Sequence, residues 1–195
     1  GVETAQRVEL GMHLHHGPFE AQLSAWHARY DDFVYLADTD LEVDGSPARV
    51  WRQDDARFSG IEARLDWQIA DGDSGLWTLG MFADTVRGKL VDAPGTTQVE
   101  VDVPHGDHHH HEEAQVATGG NLPRIAPSRI GTELRWERAG WRASIGAVRY
   151  LKQDDVAAFE SATPGYTLVD AHLAWERPRR GSGPGRRWRL GQRVG

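Results

Sequence analysis

Apolar residues fall on every second position over long parts of this chain. Val8, Leu10, Met12 and Leu14 alternate with Glu9, Gly11, His13 and His15. After a turn at His16-Gly17-Pro18 the pattern resumes in Phe19, Ala21, Leu23 and Ala25. A period of two predicts strands, because successive side chains of an extended chain leave opposite faces. The second strand continues through residues 30–36, with a phase slip expected near Trp26. Residues 49–69 predict a third, bent at Ser59-Gly60, whose second half sets Ile61, Ala63, Leu65, Trp67 and Ile69 against Glu62, Arg64, Asp66 and Gln68. Residues 76–91, 122–138, 141–152 and 166–176 complete a set of seven strands, and no segment shows a convincing helical period.

The connections between these strands alternate in length. Those at 16–18, 70–75 and 139–140 are short; those at 37–48, 92–121 and 153–164 are long and polar, with Asp44-Gly45 and Pro47 as turn signals. In an up-and-down sheet every short turn then lies at one end and every long loop at the other, the arrangement of outer-membrane barrels. Six of the eight Trp (67, 77, 136, 141, 175 and 188), with Phe19, lie near a short turn or its equivalent after Glu176. Aromatic rings favour the membrane–water boundary. A soluble sheet with one wet face would alternate equally well, so loop alternation and Trp placement decide between the two. The expected fold is all-β: an antiparallel meander of seven or eight strands over residues 1–176, a partial transmembrane β-barrel. Its Ile, Ala, Leu and Trp sets would face lipid and its Glu, Arg, Asp and His sets a wet lumen.

Composition narrows the function. The chain has 29 Asp and Glu against 22 Lys and Arg, which argues against a nucleic-acid surface, and no Cys, which excludes disulfides and thiolate metal sites. No apolar run approaches the ~18 residues of a membrane-spanning helix. The opening GVETAQRVEL has neither a basic start nor an apolar core of a signal peptide.

The chemistry concentrates in PHGDHHHHEE, residues 104–113, inside the loop at 92–121, which reads as polar and without structure of its own. Imidazole and carboxylate suit zinc and its transition-metal neighbours. The candidate ligands are His105, Asp107, His108, His109, His110, His111, Glu112 and Glu113; the alternative is incidental low complexity. Adjacent histidines point apart, so the run reads as an antenna that engages a few ligands at a time. The three long loops together hold thirteen acids and no Lys or Arg, a charge pattern that raises the local concentration of cations. His172 with Asp170, or His13 and His15, could pass a cation inward, or be ordinary lumen residues. No HExxH pattern occurs, and Ser128, Ser144 and Ser161 lack a nucleophile elbow, so no catalytic residues and no enzymatic activity are expected.

YDDFVYLADT (30–39), NLPRIAPSRIGTELRWE (121–137) and YTLVDAHLAWE (166–176) resemble the C-terminal part of TonB-dependent outer-membrane receptors, above all the zinc-uptake receptors of that family. The resemblance implies a fragment of a 22-stranded barrel in the bacterial outer membrane, surrounded by lipid. It implies a cargo of zinc or another divalent transition metal, free or chelated, carried as substrate, with haem or a siderophore as the alternative. A TonB-type energy-coupling protein would act through an N-terminal plug outside this chain. The end departs from the family pattern: residues 177–195 hold seven Arg and no acid, as a basic tail, a truncation or a frame change near Leu190 would produce.

Overall fold

The computed structural model describes residues 1–105 and 108–176; for residues 102–105 and 108–110 the backbone alone is considered. The basic segment 177–195 lies outside the described residues. The seven strands expected from the period of two are all present. They are β1 (Thr4–His16), β2 (Phe19–Val43), β3 (Ser46–Gly72), β4 (Gly75–Leu90), β7 (Arg129–Arg138), β8 (Trp141–Tyr150) and β9 (Tyr166–Trp175). Two more, β5 (Gly95–His105) and β6 (His108–Thr118), form a hairpin between β4 and β7. All pairings are antiparallel; the wall runs β1-β2-β3-β4-β7-β8-β9, and β6 joins β2 beyond the start of β1.

Register turns the alternation into two faces. Met12, Leu23, Ala63, Ala83 and Ile130 lie opposite one another in turn across five strands, and Trp67, Leu79, Leu134, Ile145 and Ala171 do so two same-face steps nearer the short turns. These rows stay on the surface: Met12 is 61 % exposed, Ile130 54 % and Ile145 55 %. A water-soluble sheet would cover such rows, whereas a wall facing lipid leaves them out. At the short-turn end, rings pair across neighbouring strands: Phe19 stacks on Trp67 at 5.6 Å, Trp77 meets Trp136 at 6.1 Å and Trp141 meets Trp175 at 6.2 Å. The Trp136 indole N–H donates to the Ser74 carbonyl at 2.8 Å, so this ring has both an apolar body and a satisfied polar tip.

The opposite face is polar and paired. Arg64 meets Asp66 at 2.7 Å, Arg135 bridges Asp66 and Glu133, and Arg129 meets Asp84 at 2.7 Å. Trp26 lies over Gly60, where a Cβ would fall 2.6 Å from the ring, and Arg7 stacks on the same ring at 4.7 Å. At Ser59-Gly60, where a bend is expected, β3 keeps register with both neighbours, and the glycine makes room for an indole.

Three further expectations need correction. The phase slip lies at Asp31-Asp32, not near Trp26; the extra residue, with Asp32 at φ 57°, returns Phe33 to the side of Tyr30. β7 begins at Arg129 rather than Leu122. Pro123 and Pro127 cannot donate to a ladder, and Leu122 instead fills a core beside Gly88, where a Cβ would fall 3.1 Å from the leucine. Finally, residues 92–121 are not structureless. Thr97, Val99, Val101 and Val103 alternate with Gln98, Glu100 and Asp102, and that period builds β5.

The buried core lies beyond the wall. β2 and β3 run on past β1 and β4 to a tight turn at Asp44-Gly45, both residues at positive φ, as a two-residue hairpin turn requires. The span 37–48 is thus mostly strand. Tyr35, Ala37, Ala56, Leu90, Val116 and Leu122 bury against one another there, and Val101 with Ala114 extends the cluster along β5 and β6. The arm of β2–β3 and the β5–β6 hairpin make one packed cap.

Candidate functional site

The candidate ligands sit at the tip of this cap. The hairpin register sets His105 opposite His108, Pro104 opposite His109, Val103 opposite His110, Asp102 opposite His111 and Val101 opposite Glu112. Asp107 lies outside the described residues. His111, Glu112 and Glu113 are exposed, on the strand that leads back to buried Ala114 and Val116. Among the described residues, no three His, Asp or Glu side chains come together as a metal cage.

What anchors the tip is apolar packing plus a few polar clamps that the sequence did not single out. The Gln115 N–H donates to Asp40 at 2.7 Å, and Thr39, 2 % exposed, donates to the Ala48 carbonyl at 2.9 Å. Tyr35 donates to Asp54 at 2.7 Å; burial first, and the Asp54 hydrogen bond next, push its phenol well above the ordinary tyrosine range. It therefore stays protonated and keeps the clamp closed at any physiological pH.

The acidic character of the long loops is partly offset from their flanks. Asp38 accepts from Arg49 and from Arg124, each at 2.8 Å, while Lys152 meets Asp154 at 2.8 Å and Arg87 approaches Asp155 at 3.9 Å. Asp38 thus ties the β2–β3 arm to the segment leading into β7, a structural role that spacing alone could not reveal because its partner lies 86 residues away. Of the inner histidines, His13 meets Glu20 at 3.1 Å and His172 meets Asp170 at 3.3 Å, on β1–β2 and on β9 respectively. They share the polar face but not a common site, and His15 stands two residues along from His13 on the same face.

A family model described as "TonB dependent receptor-like, beta-barrel" matches residues 3–194. Among solved structures, the chain is similar to one titled "Copper transporter OprC", with a TM-score of 0.67 and 16 % sequence identity; the match covers 91 % of this chain and 24 % of that one. At that identity the likeness shows the fold alone, and the chain spans about a quarter of that protein's length. No curated protein matches this chain in sequence.

Proposed function

The chain belongs to the TonB-dependent receptor-like β-barrel family, a family of outer-membrane receptors and transporters, and from that premise we propose that it is part of a receptor for a transition metal, zinc first. The observation that carries this reading is the placement of the His- and acid-rich run. A packed cap carries the described part of it beyond the barrel wall, at the end opposite the Phe19–Trp67, Trp77–Trp136 and Trp141–Trp175 pairs.

On this reading the long-loop end is extracellular. Carboxylates such as Glu112 and Glu113 draw cations toward the mouth, and neutral imidazoles of His105 and His108 to His111 select a transition metal over calcium or magnesium. Asp107 adds an oxygen donor to the same run. Capture is by transient two- or three-ligand contacts, fast to form and fast to release. Energy for uptake would come from a TonB-type coupling protein acting through a plug domain of the receptor. The similar structure's title names copper, so copper is the metal against which zinc must be compared.

The test replaces His105 and His108 to His111 with Ala in the receptor that carries this chain, in cells limited for zinc. Uptake at limiting zinc should fall roughly tenfold, the lower end of what weakened metal coordination costs in affinity, while heat-modifiable migration shows the barrel intact. Lowering the pH from 7 to 5.5 should weaken wild-type uptake and leave the variant unchanged, since imidazoles bind metal only when neutral. Uptake of zinc and copper unaffected by the substitutions would overturn the antenna. A loss confined to haem or siderophore uptake would move the cargo to a chelate.

A further inference from the structure

The hairpin that joins β1 to β2 carries metal-ligand residue types of its own, at the end of the wall away from the His-rich run. Its sequence is HLHHGPFE, residues 13–20. Pairing continues down to His16 opposite Phe19, so only Gly17, at φ 56°, and Pro18 form the turn. That register sets three donors on the polar face. His15 lies directly opposite Glu20, and His13 lies one same-face step away, opposite Gln22. His16 belongs to the other face, where its partner Phe19 stacks on Trp67 at 5.6 Å. Alternation thus selects His13 and His15 and leaves out the histidine beside them.

The backbone under these donors is well held. The Gln68 N–H donates to the Pro18 carbonyl at 2.8 Å and ties the turn to β3, while the Phe19–Trp67 stack covers its other side. Donors on paired strands keep their spacing better than donors on a loop.

The charges around Glu20 favour a cation there. Elsewhere on the polar face arginine answers the acids: Arg7 meets Glu9, Arg64 meets Asp66 and Arg129 meets Asp84, each at 2.7 Å. Among the described residues, Glu20 has no Lys or Arg within ion-pair distance and meets only the His13 Nε2, at 3.1 Å. Arg64, opposite Gln22 in register, is committed to Asp66. Glu20 also faces Asp66 directly across β2 and β3, and like charges so placed repel. A cation held at Glu20 removes that repulsion. Access is open as well, because His13 borders a depression of about 1010 Å³ whose wall also carries Glu9, Glu62 and Asp84.

We propose that His13, His15 and Glu20 form a second metal site, for a divalent transition metal, at the short-turn end of the wall. Two imidazoles and one carboxylate are the donor set of zinc sites that use three protein groups and keep the fourth position for water. Residues two apart on a strand stand about 7 Å apart along it, a separation that two imidazoles span when both turn to one ion between them. His13 is already turned to Glu20. His15 is exposed and, among the described residues, has no hydrogen bond to break, so rotation of its side chain completes the set. The site deepens the metal-receptor reading and rests on it for its role: an ion captured at the far end is held here before it leaves the barrel.

The experiment is calorimetric titration of the purified receptor with zinc, in detergent, with His105 and His108 to His111 already replaced by Ala to silence the run at the far end. His13→Ala and His15→Ala, made separately, should each abolish one zinc equivalent or weaken it roughly a hundredfold, since disturbing only the support of a ligand already costs about 10–100-fold. Glu20→Gln, which keeps the shape and loses the charge, should weaken the same equivalent roughly tenfold. His16→Ala should change neither stoichiometry nor affinity, and heat-modifiable migration should be the same for all four variants. Zinc binding indifferent to the changes at 13, 15 and 20 would overturn the site. An equal loss from His16→Ala would also overturn it, by showing a histidine cluster without geometry. Failure of the two readings is distinguishable: zinc uptake unaffected by the Ala substitutions at 105 and 108–111 removes the antenna and leaves this equivalent standing, whereas an equivalent insensitive to His13 and His15 removes this site and leaves the antenna.

Discussion

Val116→Asp should free the His-bearing hairpin from the receptor while leaving the barrel wall in place. Val116 is fully buried among Tyr35, Ala37, Ala56, Leu90 and Leu122, and a carboxylate at that position would have no partner. Burying an unpaired charge costs on the order of 4 kcal/mol or more, and the attachments of β6 to β2 are few. Among the described residues they amount to the pairing of Thr39 with Val116, the Asp40–Gln115 hydrogen bond and the shared apolar cluster. The wall strands are held by their own continuous ladders, so the damage should stay in the cap. Limited proteolysis of the folded receptor should then cut between residues 92 and 121 in the variant and not in the wild type, with metal capture reduced alongside. A hairpin still protected in the variant would show that packing at Val116 does not hold it.

The second large effect belongs to the wall. Leu65→Arg places a guanidinium at the centre of the row Leu14, Ala21, Leu65, Met81 and Thr132. At mid-depth on the lipid face of a barrel, that change costs roughly 2–4 kcal/mol. Gln22→Arg, on the other face beside Arg64 in register, should cost far less, because the lumen is wet. Denaturant midpoints of the receptor in lipid vesicles should fall for Leu65→Arg and hold nearly steady for Gln22→Arg. The opposite order would reverse the two faces.

Much of the wall was legible because lipid imposes one rule on every strand that crosses it. Rows such as Ile61, Ala63, Leu65 and Trp67 declare their face without help from neighbours, and the Trp residues near short turns mark one boundary. The cap was not legible in the same way. Val99, Val101, Ala114 and Val116 carry the period of a strand, but acids and histidines interleaved with them lowered the local hydropathy, and the segment read as loop. The bulge at Asp31-Asp32 and the buried role of Leu122 depend on partners distant in the chain, Asp55 and Gly88 respectively. For the candidate site, sequence supplied the donor types and their position at the tip of a long connection. It did not supply the hairpin register of the strands that carry them, nor the Arg49 and Arg124 pairs that take Asp38 out of the cation-attracting set.

The central claim is that one face of this sheet meets lipid and the other meets water. The chain has no Cys, so single cysteines can be placed at each position from 61 to 69 of the receptor in a bilayer. Each is then scored for reaction with a membrane-impermeant maleimide and, after fluorescent labelling, for quenching by a lipid-borne quencher. Positions 62, 64, 66 and 68 should react with the aqueous reagent and escape quenching; positions 61, 63, 65, 67 and 69 should show the reverse. Loss of that alternation, with all nine positions reactive or all nine protected, would contradict the account.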